Sequence, residues 1–188
     1  MKITNLSKSY DGRPVLSHVT LSFEDGGVYA LMGASGKGKT TLLHILMGLT
    51  KADEGSVAGL KNKQFSAVFQ ENRLCGFLTA AENIAAVQKK PFAIADINTF
   101  LAEILPSESL CQPVREYSGG MKRRVAIARA LLTPSDILIM DEPLTGLDEK
   151  TKAQVISFIL KYRNGRTLIF TTHQEEDIPQ FGGEKVLL

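Results

Sequence analysis

The chain has 188 residues, 44% hydrophobic and 22% charged, with 22 Lys and Arg against 20 Asp and Glu and a formal net charge of +2. These values are ordinary for one globular domain and exclude a disordered tail, a collagen and a highly charged nucleic-acid arm. No apolar run approaches the roughly 18 residues that span a bilayer, and no basic-then-apolar leader opens the chain, so a cytosolic protein is expected.

Residues 2–10 are strand-like, Asp11-Gly12 is a turn signal and 15–23 alternate again, which predicts a hairpin. After Gly26-Gly27 an apolar strand is expected at 28–32, then a glycine-rich loop and a helix from about 40 to 49 with Gly48 near its stop. A second buried-strand candidate covers 65–69 and ends at Gln70. Thr79-Ala80-Ala81-Glu82 fits a capping box, in which hydroxyl and carboxylate each satisfy a backbone N–H. That helix is expected to stop near Pro91. Further helices are expected from about 96 to 105, stopped by Pro106, and from about 120 to 132, stopped by Thr133-Pro134. A strand at 137–140, a helix at 149–162, a strand at 167–171 and a last strand over 185–188 complete the pattern. Strands alternating with helices argue an α/β fold with a parallel sheet. Residues 71–118 lack strand patterns and read as a helical lobe inserted into that core. Cys75 and Cys111 lie in no metal-like spacing. They allow one disulfide, but two free thiols are expected in a reducing compartment.

Gly33-Ala34-Ser35-Gly36-Lys37-Gly38-Lys39-Thr40 matches G-x-x-x-x-G-K-[ST], the phosphate-binding P-loop. Glycines allow a tight turn whose N–H groups face one anion, and the helix that follows aims its positive end at the same place. Lys39 adds a full charge at the β/γ-phosphates and Thr40 offers a hydroxyl to Mg²⁺. Thr41 follows in the nucleotide-binding set, whereas Lys37 occupies a variable place and enters only as part of the loop. A glycine-rich turn is the plain alternative, but an apolar strand before and a helix after favour the phosphate site.

Asp141 ends the apolar run 137–140; an acid there can hold Mg²⁺ opposite Thr40. Glu142 is placed to orient or deprotonate an attacking water. Alone, Asp-Glu-Pro is more often a turn. Gly33, Gln70, Asp141 and His173 each stand at or just past the end of an apolar strand candidate. Ligands of parallel α/β sheets bind outside the carboxyl ends of the strands, so the four groups are expected to converge on one phosphate. Singly, Gln70 reads as a strand cap and His173 as an ordinary histidine; together the ordinary readings need four coincidences.

Tyr117-Ser118-Gly119-Gly120-Met121, running into Lys122-Arg123-Arg124 and the apolar residues after it, resembles the signature motif of ATP-binding cassette (ABC) ATPases. Ser-Gly-Gly opens a helix whose first N–H groups have no intrahelical partner, a second anion-binding terminus in one chain. The resemblance implies a two-fold dimer in which Ser118, Gly119 and Gly120 of one copy face the P-loop of the other. It further implies that Gln70 is the Q-loop glutamine, touching Mg²⁺ and the transmembrane partner. Asp141 and Glu142 correspond to the Walker B acid and the catalytic base, Asp148 of Gly146-Leu147-Asp148 to the D-loop, and His173 to the switch histidine. Tyr10 sits where the family stacks adenine. Asp148 also reads as a helix N-cap, and Tyr10 as a plain strand tyrosine. Tyr117 and Met121 depart from the family's Leu and Gln, leaving the Ser-Gly-Gly backbone intact. The Lys122-Arg123-Arg124 run reads as a solvated helix face rather than a nucleic-acid patch, given the small net charge.

The expected fold is therefore α/β: a P-loop NTPase core with a mostly parallel sheet, a small N-terminal antiparallel β-subdomain and an inserted helical lobe. Residues 1–188 are taken as one ABC ATPase domain, with 1–70 and 133–188 forming the core and β-subdomain. About 71–132 form the lobe, including the signature helix. The expected activity is Mg·ATP hydrolysis in a homodimer or a heterodimer with a homologue, coupled to separate transmembrane permease subunits. A solute-binding protein joins them if transport is inward. Residues 68–74 and 78–84 are similar to ATPases of nitrate/sulfonate/taurine-type importers. The chain is then peripheral on the inner face of the membrane, with docking expected around Gln70 and the helical lobe; Phe77 and Leu78 are candidates there and read equally as core of the lobe. A P-loop kinase shares the phosphate loop but needs no Ser-Gly-Gly helix start. A non-transport ABC-type ATPase is the other alternative, though its usual coiled-coil, zinc-binding or duplicated segments have no counterpart here.

Overall fold

The computed structural model describes residues 1–89 and 92–188. Contacts divide the chain into two compact units. The first comprises Met1–Phe65, Ser135–Glu142 and Gly165–Leu188, the second Ser66–Pro134 and Pro143–Asn164. The second thus includes 143–164, which sequence patterning had placed with the core.

In chain order the strands are β1 (Lys2–Tyr10), β2 (Arg13–Ser22), β3 (Val28–Met32), β4 (Glu54–Ala58), β5 (Phe65–Val68), β6 (Ile137–Met140), β7 (Thr167–Thr171) and β8 (Glu184–Leu187). β1 and β2 form the expected hairpin. Its turn has positive φ at Asp11 (50°) and Gly12 (74°), which matches the right-handed twist of the flanking strands. β4 pairs antiparallel with the other edge of β1, giving the order β2-β1-β4. No signal announced β4, because Glu54-Gly55-Ser56-Val57-Ala58 has one branched apolar residue and no alternation. Pairing with β1 supplies what propensity does not.

The larger sheet has the order β5-β6-β7-β3-β8. β3 runs parallel to β7 and β8, and β6 parallel to β7. Both faces are covered, so β6 and β7 are buried along their whole length and read as continuous apolar runs. Helix α1 (Lys39–Leu46) buries Leu42, Leu43 and Leu46. Gly48, at φ 71°, lies two residues beyond its last helical residue. The short helix α6 (Asp177–Phe181) places Phe181 against Phe170, with ring centroids 4.3 Å apart. Five residues containing a proline carry too little periodicity for α6 to be foreseen.

The second unit holds α2 (Ala80–Ala85), α3 (Ile94–Leu101), α4 (Gly119–Leu132) and α5 (Glu149–Tyr162). α2 packs on α3 and α4, and α4 on α5, burying Ile84, Leu101, Ile127 and Ile159 completely. The capping box forms as read: the Glu82 N–H donates to Thr79 Oγ1 (3.2 Å) and the Thr79 N–H to Glu82 Oε2 (2.8 Å). α2 ends at Ala85; the stop expected near Pro91 lies outside the described residues. α3 begins and ends earlier than the pattern indicated, and 102–105 continue as turns that still bury Ile104 and Leu105. Among the described residues no helix is long and apolar enough to cross a membrane. Cys75 and Cys111 are free and exposed.

The aromatic cluster of Phe100, Phe158 and Tyr162 is capped by Glu103. Its carboxylate accepts from Lys161 Nζ (2.8 Å) and from the Tyr162 hydroxyl. Lys161 first, then Tyr162, holds that carboxyl below the usual glutamate range. A lowered folded-state pKa gives stability that is present above the unfolded value and lost as pH falls through the folded one. The group is more than a third exposed, so Glu103→Gln is expected to cost at most about 1 kcal/mol at pH 7. The difference in melting temperature between variant and wild type should shrink as pH falls below about 4, the ordinary glutamate range; a difference at pH 3 as large as that at pH 7 would refute the linkage.

Candidate functional site

The loop between β3 and α1 is built around Gly38. Its φ of 85° is left-handed, and a Cβ there would lie 2.6 Å from Leu16 Cδ2 and 2.8 Å from the Val15 carbonyl. Backbone conformation and the close approach of β2 both exclude a side chain. Gly38 offers α1 no side-chain cap, and the first turn of α1 has no acid, so its leading N–H groups and dipole favour an anion. Lys39, 7% exposed, spans the loop and donates to the carbonyls of Gly33 (2.8 Å) and Ala34 (3.2 Å). Ala34, Ser35, Gly36, Lys37 and Thr40 are exposed, and Thr41 is half-buried. Beside the loop lies a groove of about 550 Å³, lined by Val15 and Leu16 of β2, by Ser35, Gly36 and Lys37, and by Leu188. Tyr10, at the end of β1, is 45% exposed with its ring 5.3 Å from Lys8 Nζ.

β6, β7 and β3 are neighbours in that order, so parallel pairing sets their carboxyl ends side by side. Asp141 follows β6, His173 follows β7 and Gly33 follows β3. Asp141 is buried, and its Oδ2 accepts from Thr40 Oγ1 at 2.7 Å. Its Oδ1 accepts from Thr171 Oγ1, also at 2.7 Å. Glu142 has a left-handed φ of 50°, and its N–H donates to Thr171 Oγ1 at 2.8 Å. Glu142 Oε1 lies 3.0 Å from His173 Nε2. The loop carrying His173 is tied at its base, where buried Thr172 donates to buried Asp177 (2.7 Å) and Lys185 pairs with Glu175 (2.6 Å). The Thr40 hydroxyl and Asp141 carboxylate are hard oxygen donors of the kind Mg²⁺ takes together with phosphates and water. Among the described residues no cluster of three or more His, Cys, Asp or Glu is placed to hold a metal.

In the second unit Gln70 is exposed just past β5. Two arginines of α4 hold its neighbourhood by backbone carbonyls. Arg123 donates to Phe69 (2.6 Å) and Gln70 (3.2 Å), and Arg129 to Arg73 (2.7 Å) and Asn72 (2.9 Å). The expectation that Lys122-Arg123-Arg124 forms a solvated face is corrected for Arg123, which is 5% exposed. Its guanidinium turns inward because the 69–70 carbonyls need donors. Ser118 is the N-cap of α4, its Oγ accepting from the Met121 N–H at 3.2 Å, and Ser118 and Gly119 are exposed while Gly120 is half-buried. Tyr117 is buried and donates to the Ser109 carbonyl at 2.6 Å, so the departure from leucine is absorbed in the core. Exposed Asp148 caps α5, accepting from the Thr151 N–H (3.0 Å) and hydroxyl (2.7 Å). The Thr151 hydroxyl and amide hold its carboxyl below the usual aspartate range.

Sequence reasoning missed Thr171, Asp177, Arg123 and the β2 wall of the groove. Thr171 sits inside an apolar strand pattern, where a β-branched residue raises no flag. An Arg beside other basic residues reads as surface until burial is known.

Comparison with known proteins bears on the whole arrangement. The profile of the ABC transporter family matches residues 16–145. The sulfate/thiosulfate import ATP-binding protein CysA 1 of Agrobacterium fabrum is 30% identical over 208 residues, covering 100% of this chain and 60% of its own length. The spermidine/putrescine import ATP-binding protein PotA of Salmonella typhimurium is 34% identical over 191 residues, covering 93% of this chain and 50% of its own. The chain thus spans about half to three-fifths of the length of these relatives. Among solved structures, the dimeric bacterial ABC transporter cassette MJ0796 has a TM-score of 0.86 at 27% identity, covering 100% of this chain and 93% of its own. Its dimeric post-hydrolysis state, bound to ADP and Pi, has a TM-score of 0.83 at 26% identity, with the same coverage. The glycine loop, the Ser-Gly-Gly helix start and the paired acids all fall inside the matched stretch, and the chain belongs to the ABC transporter family.

Proposed function

We propose that this chain is the ATP-binding and ATP-hydrolysing subunit of an ABC transporter, coupling hydrolysis in a head-to-tail dimer to transport by separate membrane subunits. The reading rests chiefly on the grouping of Thr40, Asp141, Glu142 and His173 through the 2.7 Å and 3.0 Å contacts at the start of α1 and the ends of β6 and β7. Family membership and the resemblance to dimeric cassettes support it.

Lys39 and the loop amides of Gly33 to Thr41 bind and orient the phosphates, and Tyr10 stacks on adenine above the groove. Glu142 accepts the proton of the attacking water, with His173 and Gln70 contacting the γ-phosphate. Ser118, Gly119 and Gly120 act from the other copy of the dimer, and Asp148 serves as the D-loop acid beside its capping role. Thr40, Asp141 and Gln70 would hold Mg²⁺, which when bound neutralises charge on the β/γ oxygens. The second copy is identical or a homologous subunit. A permease docks around Gln70 and Phe77, which is 80% exposed, placing the chain on the inner membrane face. Import, carried in the names of CysA and PotA, brings in a solute-binding protein; no nucleic acid is involved.

Phosphate release from Mg·ATP tests the assignment. The specific rate is expected to rise with protein concentration, and ATP should shift the chain to dimer size on a sizing column. Transfer of the γ-phosphate to an added acceptor, without free phosphate, would mark a kinase instead. DNA- or ribosome-stimulated turnover would mark a non-transport ATPase.

A further inference from the structure

We propose that Thr171 is a positioning residue of the hydrolysis site, one hydroxyl fixing both acids at the end of β6. The role rests on the reading of Glu142 as the base. Thr171 is the last residue of β7 and is 0% exposed. At such a position valine has the same branched shape and strand preference without a polar atom to desolvate. A buried hydroxyl is tolerated where its hydrogen bonds offset that cost, and here they go to the catalytic segment. Thr171 Oγ1 accepts the Glu142 N–H at 2.8 Å and donates to Asp141 Oδ1 at 2.7 Å. The single hydroxyl proton is used toward the carboxylate and one lone pair toward the amide.

Each contact answers a specific geometric need. Asp141 Oδ2 is held by Thr40 at 2.7 Å, so the second donor on Oδ1 sets the plane of the carboxylate. Glu142 is a non-glycine residue with φ of 50°, a conformation that persists only where surroundings over-determine it. The bond from its N–H to Thr171 is one such restraint. The left-handed turn is accompanied by the 3.0 Å contact of Glu142 Oε1 with His173 Nε2; extended backbone at 142 would aim the side chain elsewhere. Thr171 touches no substrate in this account. It keeps the metal-side acid and the water-side acid in one fixed relation.

The test compares Thr171→Val and Thr171→Ser in the full chain with Glu142→Gln alongside. Three quantities are read: kcat and KM for Mg·ATP, and amide hydrogen exchange at Glu142 in protein without nucleotide. Valine is expected to lower kcat about tenfold and to speed Glu142 exchange by a similar factor, as loss of about one net hydrogen bond implies. KM should stay within about twofold, and serine should restore both quantities to within about threefold of wild type. Wild-type kcat and exchange in the valine variant, with Glu142→Gln inactive, overturn the role of Thr171 alone. Full activity in Glu142→Gln instead overturns the base assignment. Should the valine variant not fold, Thr171→Ala against Thr171→Ser isolates the hydroxyl in the same way, and equal exchange at Glu142 in that pair overturns the proposal.

Discussion

Glu142→Gln is expected to lower steady-state ATP hydrolysis by about 10²–10⁴-fold, the usual contribution of a positioned general base. That corresponds to about 3–5 kcal/mol of barrier. The substitution is nearly isosteric. The amide keeps an oxygen able to accept from His173, now 3.0 Å away, and the backbone bond to Thr171 does not involve the side chain. Fold and nucleotide affinity should therefore remain, while the atom that takes the proton is lost. Because Ser118, Gly119 and Gly120 are read as facing the phosphate loop of the other copy, unhydrolysed ATP between them should hold the dimer closed. Phosphate release, ATP affinity and a sizing column with ATP measure the three consequences. A variant that hydrolyses ATP at the wild-type rate would remove Glu142 from the role of base.

Lys39→Ala is expected to act one step earlier, on binding itself. The ammonium is largely buried and already donates to the carbonyls of Gly33 and Ala34 at 2.8 and 3.2 Å. Reorienting it toward a phosphate exchanges neutral acceptors for an anion, a charge-assisted bond worth about 1.5–3 kcal/mol. Its loss should raise the dissociation constant for ATP by about 10–100-fold and abolish turnover at sub-saturating nucleotide. Calorimetric titration with ATP reads the change directly, and circular dichroism separates it from unfolding. Unaltered ATP affinity would refute the phosphate assignment of the loop. The two substitutions are thus distinguishable: one should preserve affinity and stop chemistry, the other should lose affinity.

Much of this arrangement is legible in the linear chain because its causes are local. The Thr79–Glu82 capping box, the Asp11-Gly12 turn and the Gly33–Thr40 loop each follow from residues within a few positions of one another. Apolar runs bounded by such punctuation placed β3, β6, β7 and α5 within a residue of their observed limits, since burial on both faces leaves little choice of composition. β4 and α6 escaped because neither has a pattern of its own. β4 exists through its pairing with β1, and α6 packs Phe181 on Phe170, eleven positions away along the chain.

The candidate site divides in the same way. Residue types and spacing point to the phosphate loop, and the resemblance to ABC ATPases adds the roles proposed for the paired acids and the histidine, which stand at strand ends where parallel sheets bind ligands. Tertiary structure decided how they are held. Arg123 turns inward to the carbonyls of Phe69 and Gln70, more than fifty positions away, and Thr171 reaches Asp141 and Glu142 from the adjacent strand. Such bonds depend on strand order, register and burial, which no local pattern encodes. The sequence by itself determined which residues are candidates for phosphate and metal chemistry; the fold decided which ordinary-looking side chains hold those candidates in place, because an isolated hydroxyl or guanidinium has no assignment until its neighbours in space are known.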